Sequence, residues 1–291
     1  MFGNGRISRL IEEALLEDIG MGDITTDTTV SPDAVGTGEI RVKEPGVIAG
    51  LEVAAAVFST VDPEILFSPA SSDGSYAEAG TVVASITGRL ASILKAERTA
   101  LNILQRMSGI ATVTKKFVDT IKGTNAKITD TRKTPPGLRV LDKLAVRIGG
   151  GVNHRFGLDD MVLIKDNHIA AAGGVSAAIE KCLAGVAQRG HRIKIEIETK
   201  NCAEVEDALR HRGIDRIMLD NYSLDEMKKA VGIIHHAVEV EASGNVTLER
   251  VRAIAETGID YISVGALTHS VKALDISLDI RQQSSCSPKK S

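Results

Sequence analysis

A repeated spacing in the second half of this chain limits its fold more than any other feature. Short β-rich apolar runs stand at Ile193–Ile197, Arg216–Leu219, Ala237–Val240 and Tyr261–Val264, roughly every 22 residues. Helical stretches fill the gaps at Ala203–Arg212, Leu224–Val231 and Thr247–Glu256. A strand, a crossover helix and another strand return in parallel, so the pattern predicts βα units around a parallel sheet. Two earlier runs, Ala126–Thr131 and Met161–Ile164, bring the strands to six, with room for one more. Short strands and regular crossovers favour a barrel or a strongly curled sheet, although spacing alone does not establish closure.

The first hundred residues read differently. Glu39–Lys43 and Val47–Ala49 flank Glu44-Pro45-Gly46 and suggest a β-hairpin, followed by a helix over Leu51–Ser59. Ser75–Ile86 is a turn-rich β segment, and a long helix is expected from Leu90 to about Met107. The expected organisation is an α+β domain over residues 1–108 and an α/β barrel over 109–280, whose last residues are free to return to the first domain. The tail, 281–291, has no apolar pattern and is expected to be disordered.

Composition narrows the function classes. The 291 residues are 43% hydrophobic and 25% charged, as in ordinary globular proteins. A net charge of −3, 3% aromatics and no tryptophan leave neither a basic field nor stacking surfaces for nucleic acid. The opening MFGNGRISRLIEEALLED lacks the apolar core of a signal peptide, and no apolar run is long enough to span a membrane. Cys182, Cys202 and Cys286 form no CxxC pair and are expected to be reduced thiols. The expectation is a soluble cytoplasmic protein with neither a membrane nor a nucleic-acid partner.

Strand parity locates the chemistry. Residues i and i+2 of a strand share a face, so Lys194, Glu196 and Glu198 oppose Ile193, Ile195 and Ile197. Glu239, Glu241 and Ser243 likewise oppose Val238 and Val240. A parallel strand covered on both sides should be apolar on both faces. One charged face on strand after strand therefore points to a polar barrel interior whose mouth takes a charged ligand. Exposed strand ends are the plain alternative.

The apolar runs at 126–131 and 161–164 end in Arg132-Lys133 and Lys165, with Gly149–Gly151 and His154-Arg155 between them. Such cations supply bidentate or point-charge contacts to carboxylate or phosphate. Glu198 and Asp220 end two other strands and suit sugar hydroxyls, a metal carried by a substrate, or cation pairing. Ser243-Gly244-Asn245 lies between a strand and a helix, and Gly265 with His269 follows the next strand. Together they read as two phosphate loops. GxSxG, GxxxxGK[ST] and GxGxxG are absent, and His235-His236 lack the neighbours of a zinc site.

These residues resemble those of the quinolinate phosphoribosyltransferases, the decarboxylating nicotinate-nucleotide pyrophosphorylases. The resemblance rests on EDIGMGDITTD (Glu17–Asp27), ERTALNILQRMSGIAT (Glu97–Thr112), TRKTPPGLR (Thr131–Arg139), His154-Arg155 and KDNHI (Lys165–Ile169). It continues in EIE (Glu196–Glu198), MLDN (Met218–Asn221), VEASGN (Val240–Asn245) and SVGALTHS (Ser263–Ser270). The segments stand in the family's order along nearly the whole chain.

The resemblance implies an incomplete, open α/β barrel with an N-terminal α+β sandwich, assembled as a homodimer or a hexamer with shared sites. It implies phosphoribosyl transfer from 5-phosphoribosyl-1-pyrophosphate to quinolinate with Mg²⁺, giving nicotinate mononucleotide, pyrophosphate and CO₂ for NAD synthesis. Arg132, His154, Arg155 and Lys165 would line the quinolinate pocket, with Arg98 reaching in from the other subunit. Lys133 would lie between the two substrates. Glu198 and Asp220 would meet the ribose and the Mg²⁺ environment, and Ser243, Gly244, Asn245, Gly265 and His269 would hold the 5-phosphate. Catalytic roles fall on Lys133, Lys165, Glu198 and Asp220.

Rival readings are a related phosphoribosyltransferase taking a monocarboxylate, a barrel lyase with Lys165 as a Schiff-base amine, and a silent anion-binding protein. Arg98, Arg132 and Arg155 together favour a dicarboxylate.

Overall fold

The computed structural model describes residues 4–282. In chain order the elements begin α1 (Asn4–Ile19), α2 (Ile24–Thr29), β1 (Val35–Val42), β2 (Gly46–Val47), α3 (Leu51–Val61), β3 (Leu66–Pro69), β4 (Tyr76–Ala77) and β5 (Val82–Arg89). There follow α4 (Leu90–Thr120), β6 (Lys127–Thr129), α5 (Arg139–Ile148), β7 (Val162–Ile164), α6 (Asp166–Ala172), α7 (Val175–Ala187) and β8 (Ile195–Thr199). The remainder is α8 (Cys202–Leu209), β9 (Arg216–Asp220), α9 (Leu224–Ile234), β10 (Glu239–Ser243), α10 (Leu248–Ala255), β11 (Tyr261–Ser263), α11 (Ala266–His269) and β12 (Ile276–Gln282).

The chain divides into two compact units, and neither is contiguous. The first takes residues up to Val113, then Pro135–Gly150, then everything from Val271; the second takes Thr114–Thr134 and Gly151–Ser270. Residues 109–113 and 135–150 thus group with the first unit, and the end of the chain returns to it. The 139–148 helix and the last strand bury their apolar sides in the first unit.

The first unit holds a four-stranded antiparallel sheet in the order β12-β1-β5-β3. β1 buries alternate residues, as a strand with one covered face must. Ile40, Val42, Val83, Ala84 and Ile86 from this sheet are buried, as are Ile93, Ala96, Ala100, Leu104 and Met107 at three- and four-residue spacings on α4. The expected hairpin about Glu44-Pro45-Gly46 does not form: β1 pairs with β5 and β12, while β2 pairs with β4. The expected tail begins inside β12, and 283–291 lie outside the described residues.

The second unit is a parallel six-stranded sheet in the order β6-β11-β10-β9-β8-β7. β6 and β7 stand at its two edges, and Val152 makes a further parallel bridge to Thr129 on the free side of β6. That bridge fills the place of the seventh strand, and the barrel stays open between it and β7. Strand neighbours run in sequence, β7 through β11, as right-handed βα units wind. Every residue of β8 is buried on both faces, including Glu196 and Glu198. Among the described residues no single helix is long and apolar enough to cross a membrane.

Candidate active site

All strands of the second unit run in one direction, so their C-terminal ends open on one side. Residues from those ends and the loops beyond line a cavity of about 720 Å³. Arg132, Lys133, His154, Arg155, Lys165, Glu198, Asp220, Ser243, Gly244, Asn245, Gly265 and His269 all line it. Twelve of the thirteen residues singled out from sequence thus meet in one place. Arg98 lies on α4 within the first unit, with its side chain 58% exposed.

Asp130, fully buried just past β6, ties the cationic segments together. Its carboxylate accepts the backbone N–H of His154 (2.9 Å) and Nδ2 of Asn153 (2.6 Å). Arg155 is 8% exposed and donates to the Met161 carbonyl at 3.2 Å, while its Nε is buried with no hydrogen-bond partner. Burial, then the neighbouring charge of Arg132, lowers the Arg155 guanidinium from its usual value. Two neighbouring guanidiniums, one with a buried donor that no protein group accepts, suit an anion.

Lys165 follows β7 and its backbone N–H donates to His168 Nδ1 at 2.9 Å. Its Nζ is in contact with Glu198 Oε2. At the end of the adjacent β9, burial and then the Glu198 charge raise the Asp220 carboxyl from its ordinary value, against a 2.8 Å hydrogen bond from Asn221. Glu198 and Asp220 are facing carboxylates with oxygen donors only, a set suited to a hard divalent cation or to hydroxyls.

The two loops that follow β10 and β11 depend on glycine. At Gly244 φ is +93°, and a Cβ would lie 2.1 Å from Asn221 Oδ1. Asn221 in turn accepts from Asn245 Nδ2 at 3.1 Å, and its backbone N–H donates to the Ser243 carbonyl at 2.8 Å. At Gly265 a Cβ would meet the His269 ring at 3.0 Å and Lys133 Cδ at 3.3 Å. Thr268 Oγ1 donates to the Lys133 carbonyl at 2.8 Å, drawing the β6 loop against α11.

Deeper in the barrel lies a group that sequence reading placed on the charged face without a role. Glu196 and Glu241 are fully buried, and His154 Nε2 lies 2.9 Å from Glu196 and 3.5 Å from Glu241. Arg216 donates to Glu241 at 2.8 Å and to Glu239 at 3.0 Å, and its guanidinium stacks 3.8 Å above the Tyr261 ring. Burial pushes the Glu196 carboxyl up to about 7; burial and then Glu196 push Glu241 up to about 7. His154, Glu196 and Glu241 are close enough together to hold a metal ion, but Arg216 already supplies a cation to Glu241. Arg216 and Tyr261 escaped the sequence reading because each starts a strand, where charge looks like exposure.

The open parallel barrel, the cations and carboxylates at its mouth and its two glycine loops are the fold and lining of an α/β-barrel enzyme that takes anionic substrates. Comparison with known proteins makes the assignment particular. Residues 23–108 match the family model "Quinolinate phosphoribosyl transferase, N-terminal domain", and residues 110–279 match the corresponding C-terminal domain. A Nicotiana tabacum protein, "Quinolinate phosphoribosyltransferase [decarboxylating] 1b", is 46% identical over 286 residues, which cover 93% of this chain and 81% of the relative. A Bacillus subtilis protein, "Probable nicotinate-nucleotide pyrophosphorylase [carboxylating]", is 42% identical over 94% of this chain and 93% of its own. The crystal structure of NadC from Streptococcus pyogenes superposes with a TM-score of 0.91 at 38% identity, covering 97% of this chain and 99% of that one. The chain belongs to the quinolinate phosphoribosyltransferase family.

Proposed function

We propose that this protein transfers a phosphoribosyl group from 5-phosphoribosyl-1-pyrophosphate to quinolinate, releasing pyrophosphate and CO₂ and forming nicotinate mononucleotide for NAD synthesis. The observation that carries this reading is the buried Arg155 guanidinium beside Arg132, which shares a single cavity with the glycine loops at Gly244 and Gly265. Arg132, Arg155 and Lys165 bind the two carboxylates of the pyridine ring, with His154 beside them. Ser243, Gly244, Asn245, Gly265 and His269 hold the 5-phosphate, and Lys133 sits between the substrates, neutralising the leaving pyrophosphate.

The pyridine nitrogen displaces pyrophosphate at C1 of the ribose through a transition state with oxocarbenium character, and Glu198 and Asp220 orient the sugar hydroxyls. Glu198 and Asp220, with oxygen donors only, would hold Mg²⁺ carried in with the diphosphate, and the ion would supply charge neutralisation to the leaving group. With the nitrogen quaternary, its positive charge stabilises the carbanion left at C2 as the 2-carboxylate departs as CO₂, and C2 then takes a proton from solvent. That step asks little acid–base help of the protein.

A Schiff-base role for Lys165 is disfavoured by its 44% exposed side chain and its ion pair with Glu198, since an amine nucleophile needs desolvation or a second cation. Arg98, exposed on α4, completes the pocket of a partner subunit in a homodimer or in a hexamer of such dimers. Among the described residues Cys182 and Cys202 are unpaired, which supports a reducing, cytoplasmic setting; Cys286 lies outside them.

The deciding measurement is an assay of quinolinate with phosphoribosyl pyrophosphate, with and without Mg²⁺, following nicotinate mononucleotide and CO₂. Mg²⁺-dependent formation of both is expected. No turnover, or turnover of nicotinate in place of quinolinate, overturns the reading.

A further inference from the structure

Asn221 lines the cavity, and the reaction outlined above leaves it without a role. Asp220 and Ser243 are paired neighbours at the ends of β9 and β10. One residue further on, the Asn221 backbone N–H donates to the Ser243 carbonyl at 2.8 Å, so the ladder carries one bond past the last strand residues. The backbone is left-handed here, with φ of +60° at Asn221, +93° at Gly244 and +49° at Asn245. The Asn221 amide is engaged at both ends: Nδ2 donates to Asp220 Oδ2 at 2.8 Å, and Oδ1 accepts from Asn245 Nδ2 at 3.1 Å. The far side of the loop is held as well, because Arg250 on α10 donates to the Asn245 carbonyl at 3.0 Å. A left-handed backbone alone would account for an asparagine, which tolerates that region better than most residues. It would not account for two directed side-chain bonds, and glycine would meet the backbone need at less cost.

We propose that Asn221 is a positioning residue that ties the Asp220 carboxylate to the Ser243–Asn245 loop, fixing the spacing between the group that meets the sugar hydroxyls and the group that takes the 5-phosphate. Those hydroxyls and that phosphate belong to one ligand, which spans both places at once. Such a ligand gains fully from both contacts only when their spacing is set before it arrives; otherwise part of the interaction is spent on ordering the loop. A ligand that touches the loop alone makes no such demand. Both amide bonds are open to solvent, so each contributes modestly, and their joint loss should appear as about a tenfold change in affinity. The identity of the ligand rests on the phosphoribosyl reading above; the bridge from Asp220 to the loop does not.

Calorimetry on the metal-free protein tests the bridge with two probes, ribose 5-phosphate and inorganic phosphate. Asn221→Gly keeps the left-handed backbone and removes the amide. It should weaken ribose 5-phosphate about tenfold and inorganic phosphate less than about threefold. Asn221→Asp keeps an oxygen toward Asn245 but loses the donor to Asp220, and it should not recover ribose 5-phosphate binding. In steady-state kinetics Asn221→Gly should raise KM for phosphoribosyl pyrophosphate about tenfold while KM for quinolinate stays within about twofold. Three results overturn the proposal. Equal weakening of both probes, or of both KM values, confines Asn221 to the loop or to general stability; recovery with aspartate removes Asp220 from the bridge; unchanged affinity in Asn221→Gly leaves only a backbone role. A wild-type protein that binds ribose 5-phosphate but does not turn over quinolinate defeats the functional reading alone, and one that binds no ribose 5-phosphate overturns both.

Discussion

At Gly244 the backbone has φ of +93°, and the nearest atom to an added Cβ would be Asn221 Oδ1 at 2.1 Å. Asn221 is itself held at φ +60° and receives the Asn245 amide. Gly244→Ala therefore forces the loop to open, and we expect a loss of about 1–3 kcal/mol in stability with a KM for phosphoribosyl pyrophosphate raised about tenfold. Chemical denaturation and initial-rate kinetics check the two halves separately; an unchanged KM removes the loop from the phosphate site. At this scale most of the site was readable in advance, because cations after apolar runs and Ser-Gly-Asn before a helix carry their chemistry in their identity. Arg216 was not readable. Its meaning lies in Glu239, Glu241 and Tyr261, which strand register brings to it and sequence distance hides.

The elements were legible to the extent that their partners were local. The strands expected at 216–219 and 261–264 form at Arg216–Asp220 and Tyr261–Ser263, and the one expected at 193–197 begins two residues later. The hairpin about Pro45 failed because β1 takes its partners from β5 and from β12, more than two hundred residues along the chain. The long helix was expected to stop near Met107, at Ser108-Gly109, but α4 continues to Thr120. Glycine is present at 109 to admit a neighbour: a Cβ there would stand 2.2 Å from the Lys272 carbonyl oxygen. Alanine inside a helix ordinarily stabilises by up to about 1 kcal/mol relative to glycine. Here the sign should reverse, and Gly109→Ala should cost about 1–3 kcal/mol in urea unfolding. A stabilised variant would mean that the Lys272 segment yields easily.

For the whole molecule two effects reach beyond a single residue. If Arg98 serves the partner's pocket, Arg98→Ala and Lys165→Ala proteins are each inactive, but a hybrid dimer carries one intact site. Mixing them after subunit exchange should restore roughly a quarter of wild-type activity, since half the dimers are hybrid and each has one of two sites whole. No recovery despite proven exchange rules out sharing. The second effect is on stability. The Glu241 carboxyl is raised to about 7 by burial and by Glu196, so the folded protein keeps a proton that the unfolded chain has lost. A raised acid contributes stability that is complete below its unfolded value near 4.5 and lost as pH climbs through about 7. Glu241→Gln removes one of the carboxylates that Arg216 holds, so its Tm should compare with the wild type more favourably at pH 8 than at pH 5; equal differences at both would show that the carboxyl does not titrate there.

The interleaving of the two units also bears on how the chain is made. β12 completes the first unit's sheet beside β1, yet it lies C-terminal to every strand of the barrel. During synthesis β1 leaves the ribosome long before its partner exists, and translation at roughly 5–20 residues per second leaves that edge open for some ten seconds or more. The nascent N-terminal segment waits with an unpaired strand while the barrel emerges. Chaperone demand should accordingly peak late in translation, and a circular permutant that begins with β12 should shorten the wait.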